Sequence, residues 1–312
     1  MTKFKVKVPG DVPTDMKKEY EKNYNLATKK TGKLMLFAGD QKIEHLNDDF
    51  VGKGVSIDDA DPEHFFRIAS TGTIGVFAGQ LGLIARYGMD YPKVPYLIKM
   101  NSKSSLIGVK QADPISQTLV DFEDVLEFKK NSGLNIVGIG YTVYLGSENE
   151  TAMFAEGARL ATWCHQNGMI AVFWMYPRGK AVSEEKDPHL IAGAAGTALS
   201  LGADFAKVNY PNKKGFNEKK RAESFIEATT AAGRCGIITS GGSSRDVRQF
   251  LQETYDQIHV SGCSGNATGR NIHQKDLNDA VRMCDAISAI TLGDKSVDFA
   301  VKVYNGKEKF KL

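Results

Sequence analysis

Short apolar runs recur along this chain, separated in its later part by helical patterns, and they constrain its fold more than any other feature. Their continuous apolar character is that of strands buried on both faces of a parallel sheet. Alternating strands and helices fit either a closed barrel or a doubly wound open sheet. The predicted strands are Lys33–Gly39, Thr73–Ala78, Pro95–Met100, Ile136–Tyr141, Met169–Trp174, Asp204–Val208, Gly236–Thr239 and Gln257–Val260.

The residues that follow the predicted strands favour the barrel. Nearly every strand ends in glycines or chemically capable side chains, and a barrel brings all of these ends to one face. No GxGxxG dinucleotide fingerprint follows the first strand, where Gly39-Asp40-Gln41-Lys42 stands instead. We therefore predict a single-domain α/β protein, a (β/α)8 TIM barrel over residues 31–288, with an N-terminal arm over residues 1–30 and a C-terminal extension over residues 289–312.

One lysine, Lys207, stands inside the sixth predicted strand between Ala206 and Val208. Burial of an ammonium among apolar neighbours removes its hydration, which lowers the lysine pKa and makes a neutral, nucleophilic amine available near neutral pH. Such an amine can form a Schiff base with a carbonyl compound. The alternative is a lysine at a strand end that reaches solvent or pairs with a carboxylate.

Two glycine-rich segments follow the seventh and eighth predicted strands: Ser240–Gly242, and Gly262–Asn271 just before a helix. Glycines let backbone N–H groups close on phosphate oxygens, and barrels commonly bind a phosphate with these two loops. A Gly-Gly pair alone is more often only a turn. Two such loops together with an arginine that can donate two hydrogen bonds favour a phosphate site. The predicted phosphate ligands are Ser240, Gly241, Gly242, Gly269 and Arg270.

Aromatic and acidic residues end the fifth and first predicted strands. Alternation places Trp174 and Tyr176 on the same side of the chain, where they either serve the site or simply cap the barrel. The Tyr176 phenol could exchange protons with a substrate near a lysine or an iminium. Asp40 ends the first strand, followed by Glu44 and His45. For Glu44 we expect a turn cap or a lysine pair.

Composition narrows the class of protein further. The net charge of +3, from 40 basic and 37 acidic residues, gives no indication of nucleic acid binding. The four cysteines form no CxxC pair and the histidines show no ligand spacing, so we predict neither a metal site nor a disulfide framework. The N-terminus lacks the apolar segment of a signal peptide, and no apolar run reaches the roughly 18 residues of a membrane span. We predict a cytoplasmic protein with a small-molecule partner and no cofactor.

Seven segments between about Lys33 and about Ile287 occur in the order typical of one enzyme family. They are Phe37–His45, Pro95–Leu106, Gly140–Gly146, Trp174–Gly179, Ala203–Lys207, Ser240–Gly242 and Gly269–Asn271. Together they resemble the archaeal-type class I fructose-1,6-bisphosphate aldolases, a Schiff-base branch of the barrel aldolases. Two departures stand out, since Gln41-Lys42 replaces the family's His-Gly and Leu46-Asn47 replaces its Gly-Pro. We expect this loop to face the distal end of the substrate and to affect which aldehyde is accepted.

The resemblance implies a role for each candidate residue. Lys207 would form the iminium, Tyr176 would move protons on and off the carbinolamine and the enamine, and Asp40 would hold hydroxyls or assist proton transfer. Trp174 would shape the site, and His45 would contribute to substrate binding. The loops around Ser240, Gly241, Gly242, Gly269 and Arg270 would hold one phosphate, and no metal would be required.

The implied reaction is the cleavage of fructose 1,6-bisphosphate into dihydroxyacetone phosphate and glyceraldehyde 3-phosphate, and the reverse condensation. One alternative keeps Lys207 but changes the outcome: a related transaldol-type synthase that makes a dideoxy amino-sugar precursor of aromatic amino acids. The other is a phosphosugar-binding barrel, an isomerase or a non-catalytic binder, in which Lys207 is only a counter-ion. The family also suggests a homo-oligomer.

Overall fold

The computed structural model describes residues 4–108, 113–242 and 246–312 of the chain. Within these residues, eight parallel strands pair in sequential order and the last pairs with the first, so the sheet closes into a barrel. The predicted (β/α)8 TIM barrel is confirmed. The strands are β1 (Leu34–Ala38), β2 (Val76–Gly79), β3 (Tyr96–Lys99), β4 (Ile136–Leu145), β5 (Ile170–Pro177), β6 (Phe205–Val208), β7 (Gly236–Ser240) and β8 (Gly265–Thr268).

Helices surround the barrel, and two 3-10 turns, Ile57–Ala60 and Gly88–Asp90, lie between them. The helices are α1 (Lys17–Thr28), α2 (Gln41–Glu44), α3 (Glu63–Thr71), α4 (Leu81–Tyr87), α5 (Phe122–Ser132), α6 (Glu150–Gln166), α7 (Pro188–Ser200), α8 (Glu218–Ser224), α9 (Ile226–Ala231), α10 (Val247–His259), α11 (Arg270–His273), α12 (Leu277–Thr291) and α13 (Val297–Tyr304). Local sequence sets their ends: α5 begins at a capping box between Asp121 and Asp124 and ends at Gly133, whose φ is 67°. In the described ranges, no helix is long and apolar enough to cross a membrane.

Residues along each strand alternate between two buried clusters, one inside the barrel and one between the sheet and the helices. In β1, Leu34, Leu36 and Ala38 belong to the inner cluster, whereas Met35 and Phe37 belong to the outer one. Both faces of the sheet are therefore apolar, which explains why the strands stand in the sequence as continuous apolar runs.

The N-terminal segment closes the end of the barrel opposite the carboxyl ends of the strands. Val6, Val12 and Tyr20 belong to the inner cluster, and the ring of Tyr24 on α1 stacks on that of Phe205 on β6 with 5.5 Å between centroids. Residues 1–3 of the predicted arm lie outside the described residues. The interior of the barrel is thus sealed at this end and can open only at the other.

The C-terminal segment packs on the outer helices. α12 continues through the predicted boundary between residues 288 and 289, and α13 packs against α12 and α10. Phe310, which is 7% exposed, lies against Gly293. The division into arm, barrel and extension stays a prediction, but both flanking segments are packed against the barrel.

The predicted eighth strand is wrong. Gln257–His259 are the last three residues of α10, and the strand is formed by Gly265–Thr268. The apolar residues Phe250, Leu251 and Ile258 recur at helical spacing and are buried, so Ile258 extends the helix rather than starting a strand. Gly262 and Gly265 therefore lie before or at the start of β8, away from the carboxyl end of the barrel, and Gly265 is needed because a Cβ there would come within 1.9 Å of the Leu34 carbonyl oxygen.

Candidate active site

A cavity of about 410 Å³ opens at the carboxyl ends of the strands. It brings together residues from both ends of the chain, as expected of a barrel. Nine of the ten predicted site residues line it: Asp40, His45, Tyr176, Lys207, Ser240, Gly241, Gly242, Gly269 and Arg270. The tenth, Trp174, does not line the cavity and is fully buried among the inner residues of the barrel.

Lys207 is the central basic residue of this site. It lies on β6 and is 6% exposed, and its Cα pairs with that of Trp174 on β5. Its outward-facing neighbours Ala206 and Val208 belong to the outer cluster, so alternation directs Lys207 into the barrel. The Nζ atom lies 5.0 Å from the Trp174 ring centroid. Trp174 thus lies next to the lysine in the interior of the barrel, and its role in shaping the site stays a prediction.

Lys99 is a second buried lysine, and sequence reasoning gave it no role. It lies on β3, is 1% exposed, and its Nζ is 5.2 Å from the same Trp174 ring centroid. Nζ donates to the Asn101 side-chain oxygen at 3.0 Å. Burial lowers the pKa of Lys99 to about 8, against the opposing effect of Glu44 and Asp40. The signal that identified Lys207, a lysine inside an apolar strand, was also present here.

Tyr176 ends β5 beside Arg178, whose guanidinium carbon lies 5.5 Å from the phenol ring centroid. Burial raises the pKa of Tyr176 well above its ordinary value, and the negative charges of Glu44 and Asp40 act in the same direction. The phenol therefore carries its proton in the free site and is suited to donate it.

The two glycine-rich turns lie side by side. The Gly241 N–H donates to the Ala267 carbonyl at 3.0 Å, and the Asn271 side chain donates to the Gly241 carbonyl at 3.0 Å. Gly242 has a left-handed φ of 68°. A Cβ at Gly269 would come within 2.1 Å of the Gln41 amide nitrogen, so a larger residue there would have to displace the Gln41 side chain. Because the helix that follows, α11, has only four residues, the anion-binding capacity rests on backbone N–H groups and Arg270.

Arg270 and His45 are linked through one carboxylate. Arg270 Nη1 lies 3.7 Å from Asp49 Oδ1, and His45 Nδ1 lies 3.6 Å from Asp49 Oδ2. Burial lowers the pKa of His45, and Arg270 adds to this effect while Asp49 opposes it. The expectation that the loop with the two departures faces the distal end of the substrate stays a prediction. His45 lies at the Arg270 end, and Gln41 lies there too, against Gly269.

Asp40 and Glu44 stand at the two ends of α2. Asp40 is 1% exposed, and neither of its carboxylate oxygens has a hydrogen-bond partner among the described residues. Glu44 Oε1 is also buried and unpartnered there, and Glu44 forms no ion pair with a described residue. The expectation that Glu44 caps a turn or pairs with a lysine is thus wrong, since its carboxylate lines the cavity instead.

The end of the cavity away from Arg270 carries a second group of cations. Arg178 donates to Glu185 Oε2 through Nη2 at 3.1 Å, and Lys103 donates to the Ser104 carbonyl at 2.9 Å. Both side chains line the cavity. Sequence reasoning noted Lys103 and Arg178 as residues at strand ends but gave them no role. The cavity therefore has a cationic group at each end and Lys207 between them.

Residues 34–275, the whole barrel from β1 through α11, match the DeoC/LacD family aldolase model. The chain therefore belongs to the DeoC/LacD family of aldolases. Among the described residues, no group of three or more His, Cys, Asp or Glu side chains is arranged to hold a metal ion.

Within this family the chain is similar to fructose-bisphosphate aldolases. It is 58% identical over 309 residues to a Methanocaldococcus jannaschii protein named fructose-bisphosphate aldolase/6-deoxy-5-ketofructose 1-phosphate synthase, a match that covers 99% of this chain and 97% of that protein. The solved structure of the aldolase from Slackia heliotrinireducens has 56% identity and a TM-score of 0.96, with 100% of this chain and 98% of that one covered.

A more distant structure carries the reacting group itself. An archaeal fructose-1,6-bisphosphate aldolase, with its catalytic lysine covalently bound to the carbinolamine intermediate, has 29% identity and a TM-score of 0.74, covering 88% of this chain and all of that one (100%). The resemblance to archaeal-type class I aldolases is confirmed, and so is the assignment of the chain to the aldolases.

Proposed function

We propose that this protein is a class I, Schiff-base aldolase that cleaves fructose 1,6-bisphosphate into dihydroxyacetone phosphate and glyceraldehyde 3-phosphate and catalyses the reverse condensation. The observation that carries the proposal is the arrangement of charge in the cavity, where a buried amine on β6 lies between two cationic groups. A ketose with a phosphate at each end matches this arrangement. The names of the similar aldolases support the same substrate.

The donor half of the substrate lies at the glycine-rich end. Backbone N–H groups of Gly242 and Gly269, together with Arg270, hold the first phosphate, with Ser240 and Gly241 beside them. This places the ketone carbon over Lys207, which converts imine formation into an intramolecular step. His45 adds a donor at this end through its position beside Arg270 and Asp49.

Lys207 attacks the ketone carbon to give a carbinolamine, and Tyr176 donates the proton with which water departs. The resulting iminium takes up the electron pair of the C3–C4 bond, so the bond breaks to give an enamine and an aldehyde. After the aldehyde leaves, Tyr176 regains a proton from solvent and donates it to C3 of the enamine. Asp40, whose oxygens are free of protein donors among the described residues, binds substrate hydroxyls, and Trp174 supports Lys207 from beneath.

Borohydride trapping tests the covalent step. Wild-type protein treated with dihydroxyacetone phosphate and borohydride should gain the mass of the reduced adduct on the peptide that contains Lys207. The Lys207→Ala variant should show no adduct and lose cleavage activity by at least about a thousandfold. Lys219→Ala, on the exposed start of α8, serves as the matched control and should behave as wild type. Absence of an adduct in wild type would favour the phosphosugar-binding barrel and reject the proposal.

The Methanocaldococcus relative favours one second candidate, because its name includes 6-deoxy-5-ketofructose 1-phosphate synthase. Cleaving that product between C3 and C4 formally gives dihydroxyacetone phosphate and methylglyoxal. The donor half is therefore the same as in fructose 1,6-bisphosphate, and the acceptor is methylglyoxal, which carries no phosphate, instead of glyceraldehyde 3-phosphate. The predicted alternative, a synthase of a dideoxy amino-sugar precursor, shares this transaldol-type chemistry with a different product. Incubation with fructose 1,6-bisphosphate and methylglyoxal, followed by mass spectrometry, detects this activity.

Cytoplasmic location and homo-oligomeric assembly stay predictions. Sedimentation velocity of the purified protein tests the second of them, since a monomer of 34.1 kDa is readily separated from any oligomer.

A further inference from the structure

Two carboxylates of the site lie one helical turn apart and have no visible structural use. Asp40 is the N-cap of α2 and Glu44 is its last residue, a spacing that places side chains next to each other on one helix face. Both line the cavity. The oxygens of Asp40 and Oε1 of Glu44 are buried and have no hydrogen-bond partner among the described residues. Unpartnered buried carboxylates are costly, so they indicate a group that meets its partner in the substrate.

The charges around Glu44 place it at a particular end of the cavity. Burial raises the pKa of Glu44, and the charges of Lys99, Lys207 and Arg178 oppose this rise, whereas Arg270 acts on its neighbour His45. Glu44 in turn acts on Lys103, Tyr144 and Tyr176. The Glu44 carbonyl also accepts from the Ser105 N–H at 2.8 Å, which joins α2 to the segment that carries Lys103. Glu44 therefore faces the Arg178 end, beyond Lys207 as seen from the glycine-rich turns.

This position fixes which substrate atoms Glu44 can reach. With the donor phosphate at Arg270 and C2 on Lys207, the chain of the sugar continues toward Arg178. The carbon that becomes the aldehyde, C4, lies just beyond Lys207. Its hydroxyl must lose a proton when the C3–C4 bond breaks, and Tyr176, which already carries its proton in the free site, is suited to the opposite task.

We propose that Glu44 is a catalytic residue of this aldolase and takes the proton from the C4 hydroxyl during cleavage, returning it during condensation. The inference rests on the proposed function. In the cleavage step the O–H bonding pair forms the C4 carbonyl, the C3–C4 pair forms the C2–C3 double bond, and the iminium π pair moves to the lysine nitrogen. The hydroxyl proton ends on the Glu44 carboxylate, so charge and atoms balance.

The electrostatics of the pair fit this role. Burial raises the pKa of Glu44 to about 7, and the neighbouring charge of Asp40 acts in the same direction. A base with a pKa near the working pH can both accept and release the proton efficiently.

The Glu44→Gln variant separates the two halves of the reaction. Cleavage of fructose 1,6-bisphosphate should fall in kcat by about 10²-fold or more, with KM nearly unchanged. Borohydride trapping of Lys207 with dihydroxyacetone phosphate should persist, because that substrate has no C4. Glu44→Asp should recover part of the lost kcat. Glu123→Gln, on the exposed first turn of α5, is the matched control with wild-type kinetics.

The pH dependence gives an independent readout. In wild type, kcat for cleavage should fall below about pH 7 because protonated Glu44 accepts no proton, and the proton-donating form needed for condensation should be lost above about pH 7. Both effects should disappear in Glu44→Gln. Cleavage at the wild-type rate in a folded Glu44→Gln, or loss of its Lys207 trapping, would overturn the role of Glu44. A wild-type protein that forms no adduct would instead overturn the aldolase proposal.

Discussion

Each end of the barrel contains an aspartate with a buried side chain, and the two aspartates differ in the hydrogen bonds that they accept from the protein. At the sealed end, Asp204 accepts hydrogen bonds from the Tyr20 hydroxyl, from His165 Nε2 at 3.3 Å and from the Ala171 N–H at 2.8 Å. At the open end, Asp40 is 1% exposed but accepts none from the described residues. A saturated carboxylate stabilises the fold, whereas an unsaturated one lowers stability and keeps its hydrogen-bonding capacity for a substrate.

The largest effect should come from Asp40→Asn. Cleavage of fructose 1,6-bisphosphate should fall by about 10²-fold or more, because the substrate hydroxyls lose a charged acceptor. The free energy of unfolding should stay constant or rise by about 1 kcal/mol, since a buried carboxylate without protein partners is removed. Steady-state kinetics and urea denaturation of the same preparation measure both. A clear loss of stability in this variant would show that Asp40, like Asp204, stabilises the fold.

The converse result is expected for Asp204→Asn. Removing the charge of Asp204 from its buried pair with His165 should lower the free energy of unfolding by about 3 kcal/mol. The kcat of the folded protein at 25 °C should remain within about threefold of wild type, because Asn keeps the shape and a hydrogen-bonding oxygen. Urea denaturation and a cleavage assay decide the matter. If the Asp204→Asn variant kept its stability and lost its activity, Asp204 would not differ from Asp40 in role.

A smaller effect concerns pH and His165. Burial lowers the pKa of this histidine, but hydrogen bonds and charges from Asp204 and Asp11 outweigh it and raise the pKa to about 9. Its folded pKa exceeds the roughly 6.5 of an unfolded chain, so its contribution is complete below about pH 6.5 and is lost as pH rises through about 9. Wild type should lose about 2 kcal/mol across this range. In the His165→Gln variant, the urea midpoint should change less over this pH range than it does in wild type. An equal change of the midpoint with pH in both proteins would refute the assignment to His165.

The sequence was sufficient for most of the barrel because its strands are apolar on both faces. It failed at β8, where Gly-Asn-Ala-Thr has little apolar character, while Ile258 in the last turn of α10 and Val260 just after the helix resemble a strand. It placed Gly269 and Arg270 correctly at the carboxyl end, since they follow the real strand as well as the predicted one. Tertiary contacts, rather than local propensity, decided this element.

The site could be predicted only in part for a related reason. Lys207 and Tyr176 follow from strand alternation, a local property of the chain. Lys99 carries the same local signal but became prominent only when the fold placed its ammonium, like that of Lys207, near the Trp174 ring. Glu44 looked like a surface carboxylate because its burial arises from segments far away in the chain.

The short helix α2 serves both ends of the cavity at once. Gln41 and His45 lie beside the glycine-rich end, while Glu44 faces the cations at the other end. Mutational libraries directed at this single turn would therefore alter recognition of the ketone partner together with that of the aldehyde. Diversifying the positions around Lys103 and Ser105 offers a cleaner route to new carbon–carbon bond-forming catalysts, because these residues line the cavity but belong neither to α2 nor to the glycine-rich turns.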